Sequence, residues 1–302
     1  MSWGLLSTAR INDAILGGAA ESDGVEVVAV GSRDPHRARV YAGEKGIARA
    51  HGSYEDLLAD PEVDAVYVSL PNGLHVEWTL RALEAGKHVL VEKPFAPRAA
   101  DVERCFDVAE SRGLVLSEAF MWRHHPQTKR MVELLDGLGP VRLVRATFSF
   151  PLDRPGDVRW DPGLEGGSLM DVGCYCVSAI RLVLGEPAEV RGVGVGEGVD
   201  TNFAGVMRFE SGALATFDCG FDLPARGALE VISDNGAMMI ADPWHAHEPG
   251  IELNGERVEV EQANSYRLEL EDVSAAIEEG RPPLLGREDA VAQARVLEAL
   301  LA

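Results

Sequence analysis

Short apolar runs alternate with amphipathic segments through the first 120 residues. The runs are too short for helices and are typical of buried strands, and Asp34 followed by Pro35 is a good start for a helix. The predicted strands are Ser2–Leu6, 25–30, 65–70, 89–91 and 114–117, and the predicted helices are 12–20, 35–42, 55–58, 77–85 and Ala99–Arg112. Strands that alternate with helices predict an α/β fold with a doubly wound parallel sheet, the Rossmann arrangement, over residues 1–120.

The pattern changes after Glu118, and strands then follow one another from Val141. Hairpin signals stand at residues 211–212, 235–236 and 254–255. They predict an α+β domain over residues 121–302 with a large, mostly antiparallel open sheet. One good helix is predicted to open this domain, at residues 169–184, and helices at 266–279 and Arg287–Leu301 close the chain. The C-terminal helix is expected either to stay with this domain or to pack back on the first.

Composition narrows the classes of partner. The chain has 28 basic and 49 acidic residues and a net charge of −21, which argues against nucleic acid or an anionic membrane surface. No apolar run approaches the ~20 residues of a membrane span, and no signal pattern opens the chain. The four cysteines lack metal-ligand spacing, so no metal ligands are predicted and a cytoplasmic location is expected.

Lys93 draws attention because lysine is rare here. Only four of the 28 basic residues are lysines, and Lys93 follows a buried run at the carboxyl end of a predicted parallel strand. Ligands bind at that end of an α/β sheet, and an ammonium group can transfer a proton where a guanidinium cannot. The alternative is a solvated lysine that only ends the strand.

The turn after the first strand matches the dinucleotide-binding fingerprint in context but not in sequence. The fingerprint G-x-G-x-x-G has three glycines, and Ser7, Ala9 and Asn12 occupy their positions here. Small residues in a strand-turn-helix context still allow the backbone to approach a pyrophosphate. The loop formed by Ser7, Thr8, Ala9, Arg10 and Ile11 is therefore a candidate cofactor site.

The end of the second strand favours NADP over NAD. An acidic residue there would bind the ribose 2′-hydroxyl of NAD, whereas an arginine can bind the 2′-phosphate of NADP. Ser32 and Arg33 occupy this position, followed by Asp34, which could serve NAD if the loop turns. Arg33 could also be an ordinary solvated arginine.

The predicted helix 169–184 carries a polar face formed by Asp171, Tyr175 and Ser178 at i, i+4 and i+7. A carboxylate beside a phenol is a plausible acid/base pair. The alternative is a buried tyrosine whose hydroxyl is merely satisfied.

Four motifs together resemble the Gfo/Idh/MocA oxidoreductase family, from Trp3 to the C-terminus. The strongest is Glu92-Lys93-Pro94. The others are Leu-Pro-Asn-Gly-Leu-His at 70–75, Glu-Ala-Phe-Met-Trp-Arg-His-His-Pro at 118–126 and Gly-Gly-Ser-Leu-Met-Asp-Val-Gly-Cys-Tyr-Cys at 166–176. The last two are similar to the branch that contains dimeric dihydrodiol dehydrogenases and NADP-dependent D-xylose dehydrogenases, in which Tyr175 stands where many relatives have histidine. Trp122 falls one place later than the aromatic residue of the dihydrodiol enzymes.

The resemblance implies roles for individual residues. Lys93 would contact the substrate oxygen and the nicotinamide ribose, Tyr175 would be the general acid/base, and Asp171 would assist it. Besides the first loop, Ser32 and Arg33, the expected cofactor contacts are Leu70, Pro71, Asn72, His75, Glu92 and Lys93. The expected substrate contacts are Trp122, Arg123, Asp171 and Tyr175, with His124 in the same wall.

The expected function is hydride transfer between NADP (NAD being possible) and a carbinol or carbonyl carbon of a sugar or polyol. A homodimer or homotetramer through the C-terminal sheet is expected. Two alternatives stay open. One is a reductase of a nucleotide-linked keto-sugar, which would need a basic patch for the diphosphate. The other is a non-catalytic dinucleotide-binding regulator, a class that tends to lose the Glu-Lys-Pro motif kept here.

Overall fold

The computed structural model describes all 302 residues, Met1–Ala302. The chain forms two compact units, each built from several segments. Unit 1 consists of Met1–Ala96, Ala100–Met121 and Asn264–Val291, and unit 2 consists of Pro97–Ala99, Trp122–Ala263 and Ala292–Ala302.

Unit 1 contains a six-stranded, wholly parallel sheet. Its strands are β1 (Ser2–Leu6), β2 (Glu26–Gly31), β3 (Arg49–His51), β4 (Ala65–Val68), β5 (His88–Glu92) and β6 (Leu116–Ala119). Their spatial order is β3-β2-β1-β4-β5-β6, the order of a Rossmann fold. The chain adds strands on one side of β1 up to β3 and then on its other side from β4, so the strand order reverses beside β1. The predicted doubly wound sheet is confirmed.

Six α-helices lie wholly or mostly in unit 1. They are α1 (Asn12–Ala20), α2 (Pro35–Lys45), α3 (Tyr54–Leu58), α4 (His75–Glu84), α5 (Ala99–Arg112, whose first residue lies in unit 2) and α8 (Ser265–Glu279). Asp34, Ser53 and Asn264 accept hydrogen bonds from first-turn amides of α2, α3 and α8. The predicted bounds of α5 are confirmed, and α4 begins two residues before its predicted start.

Helix α8 comes from the C-terminal part of the chain and packs on α1. At the crossing, a Cβ on Gly18 would lie 2.6 Å from the Arg267 amide nitrogen and 2.8 Å from the Tyr266 carbonyl carbon. The indole of Trp3 donates to the Ser274 hydroxyl at 3.2 Å, so α8 is also tied to the central strand. The absence of a side chain at Gly18 is what allows the two helices to approach this closely.

Unit 2 contains an eight-stranded sheet in the order β14-β13-β12-β11-β7-β10-β9-β8. Only β7 and β10 pair in parallel, so the predicted mostly antiparallel sheet is confirmed. Its strands are β7 (Val141–Ser149), β8 (Glu189–Val195), β9 (Asn202–Arg208), β10 (Leu214–Gly220), β11 (Arg226–Ser233), β12 (Gly236–Ile240), β13 (Gly250–Leu253) and β14 (Glu256–Glu259). The last hairpin turns at Asn254 and Gly255, both with positive φ.

Three helices complete unit 2: α6 (Pro126–Leu138), α7 (Cys174–Leu184) and α9 (Arg287–Leu301, which enters unit 2 at Ala292). The expectation of a single helix at the start of this domain was wrong, because α6 precedes the sheet. His125 caps α6 by accepting from the Gln127 amide, with Pro126 in the first turn. The predicted helix 169–184 is also not uniform: Leu169–Gly173 is a π-helix that leads into α7.

The segment Pro162–Leu184 is long and apolar enough, by length and composition, to cross a membrane. However, 83% of its most apolar window is buried inside the protein. A core helix that is buried inside a folded unit gives the same pattern.

Adjacent glycines of α1 test the helix crossing. We expect Gly18→Ala to lower the free energy of unfolding by ~1–3 kcal/mol, because the new methyl group meets the backbone of α8. Gly17→Ala is the matched control: its Cβ meets nothing within 4 Å, and it should raise stability by ~0.5–1 kcal/mol. The measurement is equilibrium unfolding in denaturant. Equal effects of the two substitutions would contradict the close approach at Gly18.

Candidate active site

The turn after β1 replaces the fingerprint glycines with a polar network. Ser7 has φ 150°, a backbone region that favours glycine. Its hydroxyl contacts the Ser69 carbonyl oxygen at 2.9 Å and accepts from the Ala9 amide at 3.0 Å, and the Asn12 side-chain amide donates to the Ser7 carbonyl at 2.9 Å. These bonds hold a serine in a conformation that a glycine would adopt without support.

Helix α1 differs from α2, α3 and α8 in having no side-chain cap at its N-terminus. Helix N-termini leave amide groups unpaired and attract anions. The Asn12, Asp13 and Ala14 amides at the start of α1 donate to the Ala9, Arg10 and Ile11 carbonyl oxygens at 3.0–3.2 Å. Thr8, Ala9 and Ile11 are half-buried in the turn before the helix, and Arg10 is exposed. Binding of a dinucleotide pyrophosphate by this turn remains a prediction.

After β2, Arg33 is exposed, whereas the neighbouring carboxylate of Asp34 is engaged in hydrogen bonds. Asp34 accepts from the His36 amide at 2.8 Å and the Arg37 amide at 3.3 Å, and these bonds lower its pKa. Its carboxylate is thus used to cap α2. Arg33 is exposed and hydrogen-bonds the Tyr54 hydroxyl, while Ser32 is buried and accepts from the Asp34 amide at 3.2 Å. The group available here for a ligand is a cation.

His75 joins two loops at the carboxyl ends of β4 and β5. It is fully buried, with Nδ1 2.9 Å from the Pro94 carbonyl oxygen and Nε2 2.8 Å from that of Leu70. Burial lowers the pKa of the imidazole. His75 therefore fixes the turn that carries Pro71 and Asn72 against the Lys93–Pro94 segment, and its predicted cofactor contact remains a prediction.

Lys93 follows β5 at half-buried exposure, and the Lys93–Pro94 peptide bond is cis. The next amide, that of Phe95, donates to the buried Glu118 carboxylate at 2.8 Å. The segment that carries Lys93 is thus held by backbone bonds on its C-terminal side.

Glu92 is held from the sheet and lies near a second buried acid. The Tyr67 hydroxyl donates to the Glu92 carboxylate, and burial raises the pKa of Tyr67 well above its usual value, so this phenol keeps its proton. Glu269 on α8 is 1% exposed, and its Oε1 has no hydrogen-bond partner. Burial raises the pKa of Glu269 well above its usual value, and the nearby Glu92 and Asp272 carboxylates raise it further. Glu269 is therefore expected to keep its proton to a higher pH than an exposed glutamate does.

Tyr175 lies in unit 2, in the first turn of α7 and directly after the π-helix. A π-helix leaves backbone groups out of the usual i→i−4 register and is frequent at functional sites. The Cys174 carbonyl accepts from the side-chain amide of Gln293 on α9 at 2.8 Å. The Gln293 oxygen accepts from Arg181 at 3.0 Å, and Arg181 is paired with Glu186. This buried chain fixes the backbone beside Tyr175.

Asp171 is held by an arginine that the sequence analysis did not identify. Arg159 Nε donates to Asp171 Oδ2 at 2.6 Å, and Arg159 Nη1 donates to Asp157 Oδ1 at 3.2 Å. The pKa of Arg159 is raised by the two carboxylates, which outweigh its burial. Asp171 thus forms an ion pair, which suits a positioning group better than a proton carrier.

Aromatic rings surround the Tyr175 side chain. Phe148 meets it edge-on at 5.3 Å and Trp244 at 5.8 Å between ring centroids, while Phe148 and Trp244 stack at 5.7 Å. Trp122 packs edge-on against Trp244 and is only 1% exposed. Its predicted stacking on a substrate therefore remains a prediction, and Arg123 lies over its ring at 5.8 Å.

The comparisons with known proteins agree with this geometry. Residues 8–120 match the NAD-binding Rossmann-fold model of the GFO/IDH/MocA oxidoreductase family, and residues 128–239 match the model of a GFO/IDH/MocA C-terminal domain. D-xylose 1-dehydrogenase (NADP(+)) 2 of Haloferax volcanii is 42% identical, over 99% of this chain and 96% of that protein. The chain belongs to the Gfo/Idh/MocA family.

Two further Gfo/Idh/MocA relatives are named for other substrates. The trans-1,2-dihydrobenzene-1,2-diol dehydrogenase of Mus musculus is 34% identical, over 86% of this chain and 79% of that protein. The 3-ketoreductase KijD10 of Actinomadura kijaniata was solved in complex with NADP and TDP-benzene. It superposes with a TM-score of 0.94 at 30% identity, over 100% of this chain and 97% of that one.

Several residues that contact the predicted site residues within each unit escaped the sequence analysis. In unit 2 these are Arg159, Phe148, Trp244 and Gln293, and in unit 1 the residue is Glu269. A lone arginine in a loop and polar residues inside two ordinary amphipathic helices give no local signal. The Trp244 segment, Asp-Pro-Trp-His-Ala-His, was the one usable signal, because it concentrates unusual residues in a short loop.

Glu269 predicts a pH dependence of stability. Its folded-state pKa is raised above the unfolded value of ~4.3, so the native state binds the extra proton. This contribution is complete below the unfolded pKa and is lost as pH rises through the folded pKa. We expect Glu269→Gln, which stays neutral, to flatten the decline of unfolding free energy above ~pH 5. The measurement is urea unfolding from pH 5 to 9.

The matched control for Glu269 is Glu271→Gln, which removes a partly exposed carboxylate two residues away on the same helix. It should leave the shape of the wild-type pH curve unchanged. Parallel curves for wild type and Glu269→Gln would mean that Glu269 is ionised in the native protein.

Proposed function

We propose that the protein is an NADP-dependent dehydrogenase or reductase that acts on a CH–OH or carbonyl carbon of a sugar or polyol. The observation that carries the proposal is the conjunction of Glu92-Lys93-Pro94 at the end of β5 with Tyr175 at the start of α7, in a chain 42% identical over nearly its full length to an NADP-dependent D-xylose dehydrogenase. A regulator that never turns over would have no need to keep both groups.

The choice of NADP rests on the β2 loop. Asp34 is engaged in capping α2, so its carboxylate is not positioned to bind a ribose 2′-hydroxyl. Arg33 remains as a cation suited to a 2′-phosphate. The uncapped N-terminus of α1 supports pyrophosphate binding. Bound NADP would supply the hydride chemistry.

We propose that Tyr175 exchanges a proton with the substrate oxygen. In oxidation, its phenol oxygen takes the proton of the substrate hydroxyl as the C–H bond breaks, and in reduction it returns that proton. Lys93 orients the same oxygen and favours the ionised phenol. General acid/base assistance of this kind is worth ~10²–10⁴-fold. Asp171, paired with Arg159, positions the turn before Tyr175.

A nucleotide-linked keto-sugar reductase is the second candidate. Its support is the close superposition on a 3-ketoreductase solved with TDP-benzene. A diphosphate would require free cationic groups, whereas Arg159 is committed to Asp157 and Asp171. We therefore favour an unsubstituted sugar or polyol.

Self-association through the open face of the unit 2 sheet is also part of the proposal. Helix α7 covers the other face of this sheet. The open face exposes Val193 (72%), Val195 (58%), Val206 (43%) and Leu214 (46%), residues that point to one side. Apolar side chains at this exposure favour burial between copies. A monomeric mass in light scattering at micromolar concentration would contradict the expected dimer or tetramer.

The four free, buried cysteines are compatible with the expected cytoplasmic setting. Burial raises the pKa of the Cys105 thiol to about 12, which makes it unreactive.

A spectrophotometric panel tests the activity. NADP reduction is followed with D-xylose, other aldoses and polyols, and NADPH oxidation with keto-sugars and a nucleotide-linked keto-sugar. Turnover with free sugars is the expected result. Turnover only with the nucleotide-linked substrate would select the second candidate, and binding of NADPH without any turnover would select the regulator.

Arg33→Ala should raise KM for NADP roughly tenfold and leave KM for NAD nearly unchanged, because it removes a charge-assisted phosphate contact worth ~1.5–3 kcal/mol. Arg39→Ala, which removes an equal charge from the exposed surface of α2, is the control. If the wild type binds NAD as tightly as NADP, the assignment to Arg33 fails.

Substitutions of Lys93 and Tyr175 test the catalytic assignment. Lys93→Arg keeps the positive charge but presents a wider, planar group that cannot transfer a proton, so it should fail almost as badly as Lys93→Met. Both variants, and Tyr175→Phe, should still bind NADPH while kcat falls at least ~100-fold. The measurements are NADPH fluorescence titration and steady-state kinetics with one established substrate. A Lys93→Arg variant within a few-fold of wild type would contradict the role of Lys93.

A further inference from the structure

A second group of chemically active side chains lies in unit 2, in the loop between β12 and β13. Asp242, His245 and His247 each offer one ligand atom, and these atoms all lie within 4.8 Å of one another. Two of the eight histidines of the chain lie in this loop, separated by Ala246. The sequence analysis predicted no metal ligands, and neither the proposed function nor the family match uses these three residues.

The distances within the group are close to those of a metal coordination sphere. His247 Nδ1 is 3.1 Å from Asp242 Oδ2, and His245 Nδ1 is 3.8 Å from Asp242 Oδ1. Two ligands bound at ~2.0–2.1 Å to one tetrahedral ion are ~3.4 Å apart. Both imidazoles therefore face the carboxylate at nearly the required spacing, and small side-chain rotations suffice to close it.

The loop that carries the three ligands is anchored on both sides. The Asp242 carbonyl accepts from Gln127 Nε2 at 2.9 Å, and the Trp244 indole donates to the Thr147 carbonyl at 3.0 Å. Trp244 and Ala246 are buried and alternate with the exposed His245 and His247. This alternation fixes the backbone from below and sends both imidazoles to the same exposed side.

The Asp242 carboxylate also organises the backbone of the loop. It accepts from the amides of His245 at 3.2 Å and His247 at 3.0 Å, one on each oxygen. A carboxylate oxygen has two lone-pair sites. Each oxygen can therefore keep its amide bond and still bind a cation.

We propose that Asp242, His245 and His247 form a binding site for a divalent transition-metal ion of the Zn²⁺ class. Two imidazoles and one carboxylate suit Zn²⁺, Co²⁺ or Ni²⁺ and disfavour Mg²⁺, which prefers oxygen ligands alone. Three protein ligands leave at least one position for water. The alternative is that Asp242 only stabilises the turn by accepting from the two backbone amides. That role does not require the imidazoles of His245 and His247 to face the same carboxylate.

The site would restrain a residue of the aromatic wall. Trp244 lies between the first and second ligands in the chain, and its ring packs against Tyr175 at 5.8 Å and stacks on Phe148 at 5.7 Å. His245 itself meets Phe148 edge-on at 5.7 Å. A bound ion would therefore fix the loop that supports one side of the Tyr175 ring.

The test is isothermal titration of the full-length, chelator-treated protein, with any affinity tag removed, against ZnCl₂. One Zn²⁺ per chain is expected. We expect at least ~10-fold weaker binding from each of three substitutions: His245→Ala, His247→Ala and Asp242→Asn. Loss of a residue that only hydrogen-bonds to a metal ligand already costs ~10–100-fold in metal affinity, and loss of a ligand should cost no less. The control is His36→Ala: His36 is exposed and lies two residues after Asp34, but these two residues are not part of a three-ligand group, so its removal should leave Zn²⁺ affinity unchanged.

Cobalt supplies a second readout. Co²⁺ should give a visible d–d spectrum with wild type and His36→Ala that is absent from His247→Ala, and MgCl₂ should give no binding heat. Thermal melts establish that the variants are folded. Zn²⁺ affinity equal in wild type and the His245→Ala/His247→Ala double variant, or no saturable binding by wild type, would overturn the proposal. NADPH binding and turnover are measured on metal-free protein, and metal binding is measured by titration. A failure of the metal-site proposal can therefore be distinguished from a failure of the proposed function.

Discussion

The segment around Lys93 depends on a simple constraint: a strand that ends in charged residues must have its backbone and its carboxylate fixed from elsewhere. Tyr67 donates to Glu92, His75 lies against the Pro94 carbonyl oxygen, and Glu118 accepts from the Phe95 amide. These contacts come from β4, α4 and β6, so each neighbouring element of the sheet contributes one. These contacts fix the backbone from which the Lys93 side chain extends, as its proposed role requires.

The first domain could be predicted from the sequence because its strands and helices carry strong local signals. Caps at Asp34 and Ser53 and continuous apolar strands predicted five of the six strands in order, whereas β3 (Arg49–His51) was missed because it is short and lacks an apolar run. Helix α6 was missed since its signals compete: Gly137 lies inside its last turn, and polar residues fill its start, although Met131 and Leu138 are buried. The argument from lysine scarcity is also weaker than it looked, because Lys87 serves a structural purpose by donating to the Asp60 and Val63 carbonyls at 2.7 Å.

The cofactor loop shows why a list of motif residues cannot decide specificity. Arg33 and Asp34 are adjacent, and their order alone allowed either cofactor. The Asp34 carboxylate already accepts two amide bonds as the cap of α2, and this contact supports the proposal that Arg33, not Asp34, binds the cofactor. The same reasoning applies to Ser7, where hydrogen bonds from Asn12 and to Ser69 replace the conformational freedom of a glycine.

The turn before Tyr175 shows the limit of periodicity. The spacing i, i+4 predicts neighbouring side chains only on a regular α-helix, and Asp171 lies inside the π-helix Leu169–Gly173 whereas Tyr175 lies in α7. Asp171 pairs with Arg159, which lies earlier in the chain, and the Cys174 carbonyl accepts from Gln293 of the C-terminal helix. Two partners remote in sequence therefore hold the backbone on either side of the residue proposed to move the proton. Because both partners are remote in sequence, the orientation of the backbone around Tyr175 depends on the tertiary structure of its own unit.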